Sequence, residues 1–575
     1  MFVRTKKSGA YTYLQLVHNE RVDGQVRQAV IATLGRLDVL QQSGQIDALV
    51  ASCGRFAERT AVLSAHQQGQ TETTQTIKVG PGLVFERLWR EVGLPQIFAA
   101  LLEDRRFEFS VERAVFVTVL HRLFDPGSDR AAEQWRRGYE IPGSEDLQLH
   151  HFYRAMAWLG EGLSADQQFG ATPFAPRCTK DLIEETLFAQ RQDLFSRLDL
   201  VFFDTTSIYF EGRGGQTIGQ YGKSKDHRPD CRQMIVGAVL DGGGRPICCE
   251  LWPGNTSDAK TLIPIVDRLK ERFHIARICV VADRGMISKK TIQALQAVHR
   301  DTRFILGARL RAVKEIREQV LLDPGPYQEV YGPKRHAKDP SPLKVKEVRI
   351  EDRLYRVCYN QDQATKDRAD REAIVAALQD QLKQGDKSLI GNKGYRRYIK
   401  AVGRRFEIDQ EKVQRAARFD GVWVLQTDTP LTAVEVALKY KELWMVEALF
   451  RAIKSVLETR PIYHKRDETI RGHVFCSFLA LMLLKELLAR LEARGGPVEW
   501  ERLKDDLEAL EDITVVNAGK TFVLRSRPRG QAGKALQTAG VALGPTVRQI
   551  DTQVMRASPM TGFRRHPDPL DKGHA

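Results

Sequence analysis

The chain has 575 residues, of which 42% are hydrophobic and 28% are charged, and its formal net charge is +15. This length exceeds a single hydrophobic core, and the excess of cations favours a polyanionic partner, nucleic acid before membrane. The longest apolar run, residues 474–484, is too short for a membrane span, and the eight scattered cysteines show no zinc-ligand spacing. We therefore expect a cytoplasmic protein of several domains with reduced thiols; a merely basic protein without such a partner is the alternative.

Two segments precede the centre of the chain. Residues 1–75 are expected to contain a β-hairpin over 10–34, with a turn at Asp23-Gly24. Residues 80–195 carry apolar side chains at three- and four-residue spacing, which predicts a helical domain. This domain could bind DNA through its arginines, or it could support the rest of the fold. The arginines concerned are Arg130, Arg136, Arg137 and Arg154.

The centre has the pattern of a mixed α/β core. Residues 196–310 and 421–510 contain short apolar strands between helices, which indicates one core in two parts. Residues 311–420 are charged and rich in loops, so we interpret them as an insertion with a strand-like stretch at 343–360 and a helix at 370–382. The core strands are expected at 198–203, 232–252 (two strands around a turn), 277–283, 303–310 and 421–428, and the core helices at 289–298, 432–458 and 472–493.

The last segment, residues 516–575, is basic. It holds ten Lys and Arg against three Asp and Glu, is rich in Gly and Pro, and lacks hydrophobic periodicity. We therefore expect it to be partly disordered and to make loose contacts with DNA.

Two buried strands of the core end in a carboxylate. Asp204 follows the apolar run at 200–203, and Asp283 follows the strand at 277–282. Acids at the ends of buried strands lie at the rim of a sheet, where mixed α/β folds place their active sites. A strand-end cap or a turn former is the alternative for each acid taken alone.

A third acid lies on a predicted helix over residues 440–455. At about 100° per residue, Tyr440, Leu443, Glu447, Arg451 and Lys454 fall on one stripe, opposite an apolar stripe. A solvated face with a Glu447–Arg451 ion pair is the alternative. Carboxylates from two strands and a helix can together hold two divalent cations, and Mg²⁺ prefers such oxygen ligands.

A resemblance to a known family joins these features. Tyr440, Glu447 and Lys454 fit the spacing Y-(2)-R-(3)-E-(6)-K, with Leu443 in place of the arginine. From about residue 12 to 484 the chain resembles bacterial insertion-sequence transposases of the D-D-E class, in particular the IS-four-like group with the Y-R-E-K signature. The other similar stretches are FFDTTSIYFEG (202–212), YGKSKDHRPDCRQ (221–233), WPGNTSDAKTL (252–262), ADRGMIS (282–288) and RPIYHKRDETIRGHVF (460–475).

The resemblance implies a fold, a site and partners. The fold is an α/β ribonuclease-H-like catalytic core interrupted by a β-rich insertion. The N-terminal β-hairpin and the helical domain precede it, and the helical domain is a candidate for binding the DNA ends. Asp204, Asp283 and Glu447 would be the catalytic triad and the ligands of two Mg²⁺ ions, for which Mn²⁺ can substitute. The partners would be the terminal inverted repeats of the mobile element and target DNA, bound by a homodimer in the bacterial nucleoid.

Cations near the acids are candidates for phosphate contacts. Arg451 could supply the phosphate contact that Leu443 cannot make, and the basic loop at 223–228 could hold phosphates or could simply be solvated. The complete set of DNA-binding candidates is Tyr440, Arg451, Lys454, Arg284, Lys223, Lys225 and Arg228.

Four other polar or aromatic positions receive structural interpretations. Thr205 and Thr206 are expected to hydrogen-bond backbone and carboxylate groups. Asp258 lies in a predicted turn, where it would hydrogen-bond the backbone. Trp444 is expected to pack on the flank of its helix.

The expected function is therefore that of a DNA transposase. Metal-activated water would cut the element ends, and the freed 3′-hydroxyl would attack target DNA. One alternative is a metal-dependent nuclease of the same fold without strand transfer, and another is an inactive DNA-binding relative acting as a repressor. A paired-carboxylate glycosidase is disfavoured by the basic charge around Glu447. The use of a hairpin intermediate stays open.

Overall fold

Three antiparallel strands open the chain in the computed structural model, which describes residues 1–550 apart from short gaps. β1 (Phe2–Ser8) pairs with β2 (Tyr11–Val22), and β2 pairs with β3 (Gln25–Arg36). The predicted hairpin is therefore confirmed, while its turn lies outside the described residues. The residues outside the description are 23–24, 55–57, 169–170, 172–174, 192–199, 276, 299–300, 337–338, 384–394, 403–404, 518 and 551–575.

Helices dominate the chain from residue 37 to residue 191. The pattern predicted for residues 80–195 is confirmed by helices α4 to α9. Two of these helices have side-chain caps: Ser110 accepts a hydrogen bond from the backbone N–H of Arg113, and Ser128 accepts one from that of Ala131. The elements are α1 (Leu37–Gln42), α2 (Gln45–Gly54), α3 (Glu58–Gln67), β4 (Glu72–Lys78), α4 (Gly80–Glu91), α5 (Leu94–Leu102), α6 (Val111–Phe124), α7 (Asp129–Trp135), α8 (Leu149–Leu159) and α9 (Thr179–Arg191).

A nine-stranded mixed sheet confirms the predicted mixed α/β core. Its elements and the helices between them are β5 (Leu200–Tyr209), β6 (Gln233–Asp241), β7 (Pro246–Pro253), α10 (Leu262–Glu271), β8 (Ile278–Ala282), α11 (Lys289–Val298), β9 (Thr302–Gly307), β10 (Gln328–Tyr331), β11 (Leu343–Ile350), β12 (Arg353–Tyr359), α12 (Gln361–Lys383), β13 (Ile399–Val402), β14 (Arg405–Ile408), α13 (Gln410–Ala417) and β15 (Val422–Thr427). The strand order is β10-β11-β12-β15-β9-β8-β5-β6-β7, with β13 and β14 forming a separate hairpin. Strand β8 runs parallel to both β5 and β9.

The first core strand corrects one expectation. β5 continues through Asp204 to Tyr209, so Asp204 lies within a strand and not at its end. The strand continues because residues 204–209 pair with β6. The parallel pairing with β8, however, ends where Phe203 faces Ala282. Asp204 and Asp283 therefore lie at the same level of the sheet.

The segment interpreted as an insertion contributes strands to the central sheet. β12 pairs with β15, so β10, β11 and β12 extend the sheet beyond the core strands. The single strand-like stretch at 343–360 is two antiparallel strands, with Glu351 at φ 51° in the turn between them. The predicted helix at 370–382 is confirmed within α12.

The helix predicted over 432–458 is broken. It consists of α14 (Ala433–Lys441) and α15 (Trp444–Arg451), followed by a π-helical turn, Ala452–Val456. No glycine or proline marks the junction, which explains why the break was not predicted. The next helix, α16 (Asp467–Gly495), contains the predicted helix at 472–493.

The crossing of α8 and α16 depends on two glycines. A Cβ atom at Gly472 would lie 2.0 Å from the carbonyl oxygen of Met156, and one at Gly160 would lie 1.9 Å from that of Glu468. These distances are far below van der Waals contact, so only glycine allows the two backbones to approach this closely.

The last segment is more ordered than expected up to residue 550. Its strands are only four to seven residues long and are separated by segments rich in Gly and Pro, which hides the periodicity. Strands β18, β17, β16 and β4 form a four-stranded antiparallel sheet. The elements are α17 (Trp500–Glu508), β16 (Glu511–Asn517), β17 (Lys520–Arg525), α18 (Ala532–Thr538) and β18 (Val547–Ile550). The rest of the predicted tail lies outside the described residues.

The chain divides into two compact units. One comprises Met1–Gly80, Glu499–Gln537 and the residues from Val541 onward, and the other comprises Pro81–Val498 with Thr538–Gly540. The nine-stranded sheet and helices α5 to α16 belong to the second unit. In the described part of the chain, every helix is too short or too polar to cross a bilayer. None of the eight cysteines, all of which lie in the described part of the chain, forms a disulfide bond.

Candidate active site

The three predicted acids line one cleft of about 300 Å³. Asp204 comes from β5, Asp283 directly follows β8, and Glu447 comes from α15, which packs against β5 and β6. Helix α15 buries Val446 and Leu449 and leaves Glu447 exposed. Strand register and helix amphipathicity together bring the acids to one place.

Asp204 is partly buried at the cleft. Burial raises its pKa to about 6, and the neighbouring carboxylates of Asp283 and Asp258 act in the same direction. Lys225 and the backbone N–H of Thr205, which donates to Asp204 Oδ1 at 2.7 Å, oppose this rise without cancelling it. The cleft therefore has an excess of negative charge that a cation would relieve.

Asp283 is held by Tyr440. The Tyr440 hydroxyl donates to Asp283 Oδ1 at 3.0 Å, and burial, followed by the charge of Asp283, raises the pKa of Tyr440 well above its usual value. Gly307 makes room for this contact, because a Cβ atom there would lie 2.5 Å from the Tyr440 hydroxyl oxygen. The structure thus places Tyr440 against a candidate ligand, where sequence reasoning predicted a DNA contact.

Asp258 is a further acid of the cleft that sequence reasoning assigned to turn formation. Its Oδ1 accepts a hydrogen bond from Thr205 Oγ1 at 2.8 Å, and its Oδ2 lies 3.5 Å from Lys225 Nζ. Lys225 also donates to the carbonyl and hydroxyl oxygens of Thr205, at 2.7 and 3.0 Å. The signal was present in the stretch WPGNTSDAKTL, but nothing local distinguishes a turn-forming acid from one that faces a cleft.

Lys454 lines the cleft but is already paired. Its Nζ donates to Asp226 Oδ1 at 2.8 Å, and Arg460 lies 2.7 Å from the same oxygen. The Asp226 side chain is only 4% exposed, so these contacts anchor the loop that carries Lys225. Burial lowers the pKa of Lys454. Sequence reasoning did not select Asp226, whose partners lie more than 200 residues away.

Arg451 differs from Lys454 in being free to meet a ligand. It is exposed at the cleft, and among the described residues no ion pair joins it to Glu447. The alternative of a Glu447–Arg451 surface pair is therefore not observed. Leu443 is buried at the junction of α14 and α15. The packing predicted for Trp444 is wrong, since this side chain is 61% exposed.

The remaining predicted DNA contacts lie outside the cleft. Lys223 and Arg284 are exposed. Arg228 forms hydrogen bonds to both carboxylate oxygens of Asp230 and lies over the ring of Tyr209. In the helical block, three of the four arginines have partners within the block. These are Arg136 with the carbonyl of Leu147, Arg137 with Glu133, and Arg154 with Glu108.

The donor set of the cleft suits a hard divalent cation. Its candidate ligands are carboxylate oxygens, and neither a thiolate nor an imidazole lines it among the described residues. This is the ligand chemistry of Mg²⁺ and Mn²⁺. Among the described residues, the groups whose ligand atoms all lie within 4.8 Å of one another are elsewhere, at Glu108, His150 and His151 and at Asp129, His464 and His473. The side chains of the cleft would therefore have to close around an ion.

Comparisons with known proteins find transposases. Residues 2–68 match the N-terminal domain of IS1634 family transposases. A putative transposase, y4zB, from Sinorhizobium fredii (strain NBRC 101917 / NGR234) is 34% identical over 79 residues, which is 14% of this chain and 22% of that relative. The cryo-EM structure of a piggyBac transposase synaptic complex with hairpin DNA aligns over 74% of this chain and 79% of its own, with 10% identity and a TM-score of 0.36.

A further match covers the cleft. The transposase DDE domain pattern matches residues 196–483, half of the chain, and this range contains all three acids of the cleft and every strand of the nine-stranded sheet. The chain therefore belongs to the family of transposases with a DDE domain.

Proposed function

We propose that this protein is a DNA transposase that cuts the ends of its own mobile element and joins them to target DNA. The observation that carries the proposal is the convergence of Asp204, Asp283 and Glu447 in one cleft. We assign these three acids as the catalytic triad and as the ligands of two Mg²⁺ ions, for which Mn²⁺ can substitute. Bound there, the ions would activate the attacking oxygen and stabilise the leaving one.

The other side chains of the cleft have positioning roles in this proposal. Tyr440 fixes the orientation of the Asp283 carboxylate. Lys225 holds Thr205 and Asp258, which line the cleft beside Asp204. Arg451, exposed on the helix of Glu447, presents a cation to the phosphates of the strand being cut. Lys454 positions the loop of Lys225 through Asp226 instead of contacting DNA directly.

We further assign the protein to the IS-four-like group and its core to the ribonuclease-H-like fold. Support comes from the order of the acids along the chain and from the spacing of Tyr440, Glu447 and Lys454. In this assignment residues 311–420 are the insertion and the protein acts as a homodimer on paired DNA ends. Leu443, which replaces the arginine of the signature, is buried and leaves the hairpin step open.

A strand-transfer assay tests the proposal. The substrate is a DNA duplex that carries the inverted repeats flanking the gene, and the target is a plasmid, with full-length protein and Mg²⁺. Joining of the cut ends to the plasmid is the expected result. Cleavage without joining would show a nuclease, and binding without cleavage would show a repressor; either outcome would overturn the proposal.

A further inference from the structure

A second pocket, rich in arginine, lies beside the cleft. Arg284, Arg309, Arg311 and Arg397 line a cavity of about 460 Å³. A neighbouring cavity of about 780 Å³ shares Arg311 and Arg397 with it. Arg284 directly follows Asp283, so one residue of this backbone faces the cleft and the next faces the pocket. We call the site formed by Arg284, Arg311 and Arg397 the arginine pocket.

The guanidinium groups of the arginine pocket form no close ion pair within the described part of the chain. Arg284, Arg311 and Arg397 are all exposed, and no ion pair links any of them to another described residue. Arg309 differs, since it donates to the carbonyl oxygens of Arg284 and Gly285 at 3.1 Å and so braces the backbone there. Burial lowers the pKa of Arg311, and the charges of Arg397 and Arg284 act in the same direction, while Tyr398 and Asp367 oppose the shift without cancelling it.

The acids of the same cavity offset these cations only in part, since five arginines and three aspartates line it. Asp420 is paired with Arg371. Asp367 accepts hydrogen bonds from the backbone N–H of Gly421 at 2.9 Å and from Gln363 at 2.8 Å. Asp370 is exposed on α12. Two of the three acids also hold α12 against the segment before β15. With five cations against three anions, the pocket has an excess of positive charge.

Aromatic rings orient two of the arginines. The guanidinium of Arg311 lies over the ring of Phe419 at 5.4 Å, and that of Arg397 lies over Tyr398 at 5.0 Å. Stacking on a ring fixes the plane of a guanidinium and leaves its N–H edge free to donate to an anion. A planar fork held in this way matches the geometry of a phosphate group.

We propose that the arginine pocket binds backbone phosphates of the DNA strand that leaves the cleft. This inference rests on the proposed function, because it takes DNA as the ligand of the cleft. A free nucleotide or inorganic phosphate offers the same chemistry. The polymer is favoured because the pocket adjoins the cleft at consecutive residues and continues into a larger cavity, as a groove for several phosphates would.

Salt-dependent DNA binding tests the inference. The probe is a fluorescent duplex of about 30 base pairs, titrated with full-length protein in EDTA at several salt concentrations. Replacing Arg311 and Arg397 together by Gln should weaken binding roughly tenfold or more and reduce the slope of log affinity against log salt by about two units. Replacing Arg311 and Arg397 together by Lys should preserve most of the salt dependence, because the charges are kept. Arg349→Gln, an exposed arginine of β11 outside the pocket, should match wild type.

The outcomes separate this inference from the proposed function. If wild type and the double Gln variant bind DNA with the same affinity at every salt concentration, the arginine pocket does not bind DNA. The proposed function would be unaffected by this result. If inorganic phosphate or dAMP raises the melting temperature of wild type but not of the variant while DNA binding is equal, the pocket holds a small anion, and the inference is equally overturned. If wild type itself fails to bind DNA, both proposals fail.

Discussion

Acidic side chains gather at two places in the second unit, and the two groups are balanced differently. At the first place, Asp181, Glu184 and Glu250 surround Arg268, which forms ion pairs with all three. Lys180 adds a second cation, and every member of this group is buried. The network joins α9 to β7 and α10. Arg272 lies 4.0 Å from Asp181, so three cations of the same chain face the three acids.

The cleft shows the opposite arrangement. Among the described residues, no ion pair reaches Asp204, Asp283 or Glu447. Burial raises the pKa of Asp204 to about 6, whereas at Asp181 the charges of Arg268 and Lys180 outweigh burial and hold the pKa below its usual value. Glu184 of the same network differs from Asp181, because burial raises its pKa despite the same two cations. Carboxylates with internal counter-ions serve to hold the fold together. Carboxylates without them are suited to a cation from solution.

The largest expected effect is on catalysis by the cleft. Asp204→Asn, Asp283→Asn and Glu447→Gln each remove one ligand charge with little change of shape, so cleavage should fall below detection in Mg²⁺. Stability should be equal to or above that of wild type, since charge repulsion is relieved. Rates of cleavage and thermal melts of the purified variants check this. Glu271→Gln, an exposed acid of α10, is the control. One triad variant that cuts at the wild-type rate would refute the triad assignment.

Substitution in the buried network should lower stability, in contrast to substitution of the acids in the cleft. Arg268→Met would leave three buried carboxylates without their main cation and should destabilise the second unit by about 3–5 kcal/mol. The midpoint of urea unfolding, followed by tryptophan fluorescence, measures this. Arg349→Met on the exposed face of β11 is the matched control and should change the midpoint little. A loss no larger than that of the control would show that the network is not structural.

The Tyr440→Phe variant tests whether the orientation of Asp283 matters, because it removes a hydrogen bond to that carboxylate without changing any charge. The variant keeps the ring between Gly307 and Asp283 but removes a hydrogen bond to a carboxylate, worth about 1.5–3 kcal/mol. The cleavage rate should fall by roughly tenfold or more, and a higher Mg²⁺ concentration should be needed for half-maximal rate. Rates measured over a series of Mg²⁺ concentrations test this. An unchanged requirement for Mg²⁺ would mean that Tyr440 does not orient a metal ligand.

A buried histidine pair predicts a smaller effect, a dependence of stability on pH. His464 and His473 contact each other, and Arg122 donates to His473. Burial lowers the pKa of His464 to about 4 and that of His473 well below its usual value. The unfolded chain then binds more protons than the folded one, so stability should decrease as the pH falls below about 6.5.

The size of this effect is on the order of 1 kcal/mol per histidine per pH unit. Asp129, whose pKa is raised by burial, acts in the opposite direction and offsets part of the loss. Urea midpoints at several pH values between neutrality and pH of about 5 measure the slope. His464→Asn should make the slope shallower. A wild-type slope of zero would show that the histidines are not held neutral by the fold.

The sequence predicts the acids of the cleft better than their surroundings. Asp204 and Asp283 stand out because each follows an apolar run, and Glu447 stands out on the polar stripe of a helix. Asp226 and Asp258 do not, because their partners are distant in sequence: Lys454 and Arg460 for Asp226, and Thr205 and Lys225 for Asp258. Local sequence patterns predict which strand or helix presents a side chain. They do not predict which residues that side chain contacts in the folded protein.

The elements show the same limit. The helices and core strands are predicted because their apolar residues repeat with the correct period. The break between α14 and α15 is missed, since neither Gly nor Pro marks Glu442 or Leu443. The pairing of β12 with β15 joins strands separated by more than 60 residues, and the sheet of β4 with β16 joins strands more than 400 residues apart. Such pairings depend on the whole chain.

The alignment of Phe203 with Ala282 has a consequence for how this cleft tolerates change. Successive side chains of a strand point to opposite faces, so one residue inserted before Asp204 within β5 would turn its carboxylate away from α15 and into the apolar layer that contains Val201 and Phe203. The distance between Asp204 and Asp283 is thus set by the register of β5 and β8 and by the number of residues in each strand before the acid. Loops can lengthen during evolution without changing this alignment of the two acids. A single residue added within either strand would abolish it.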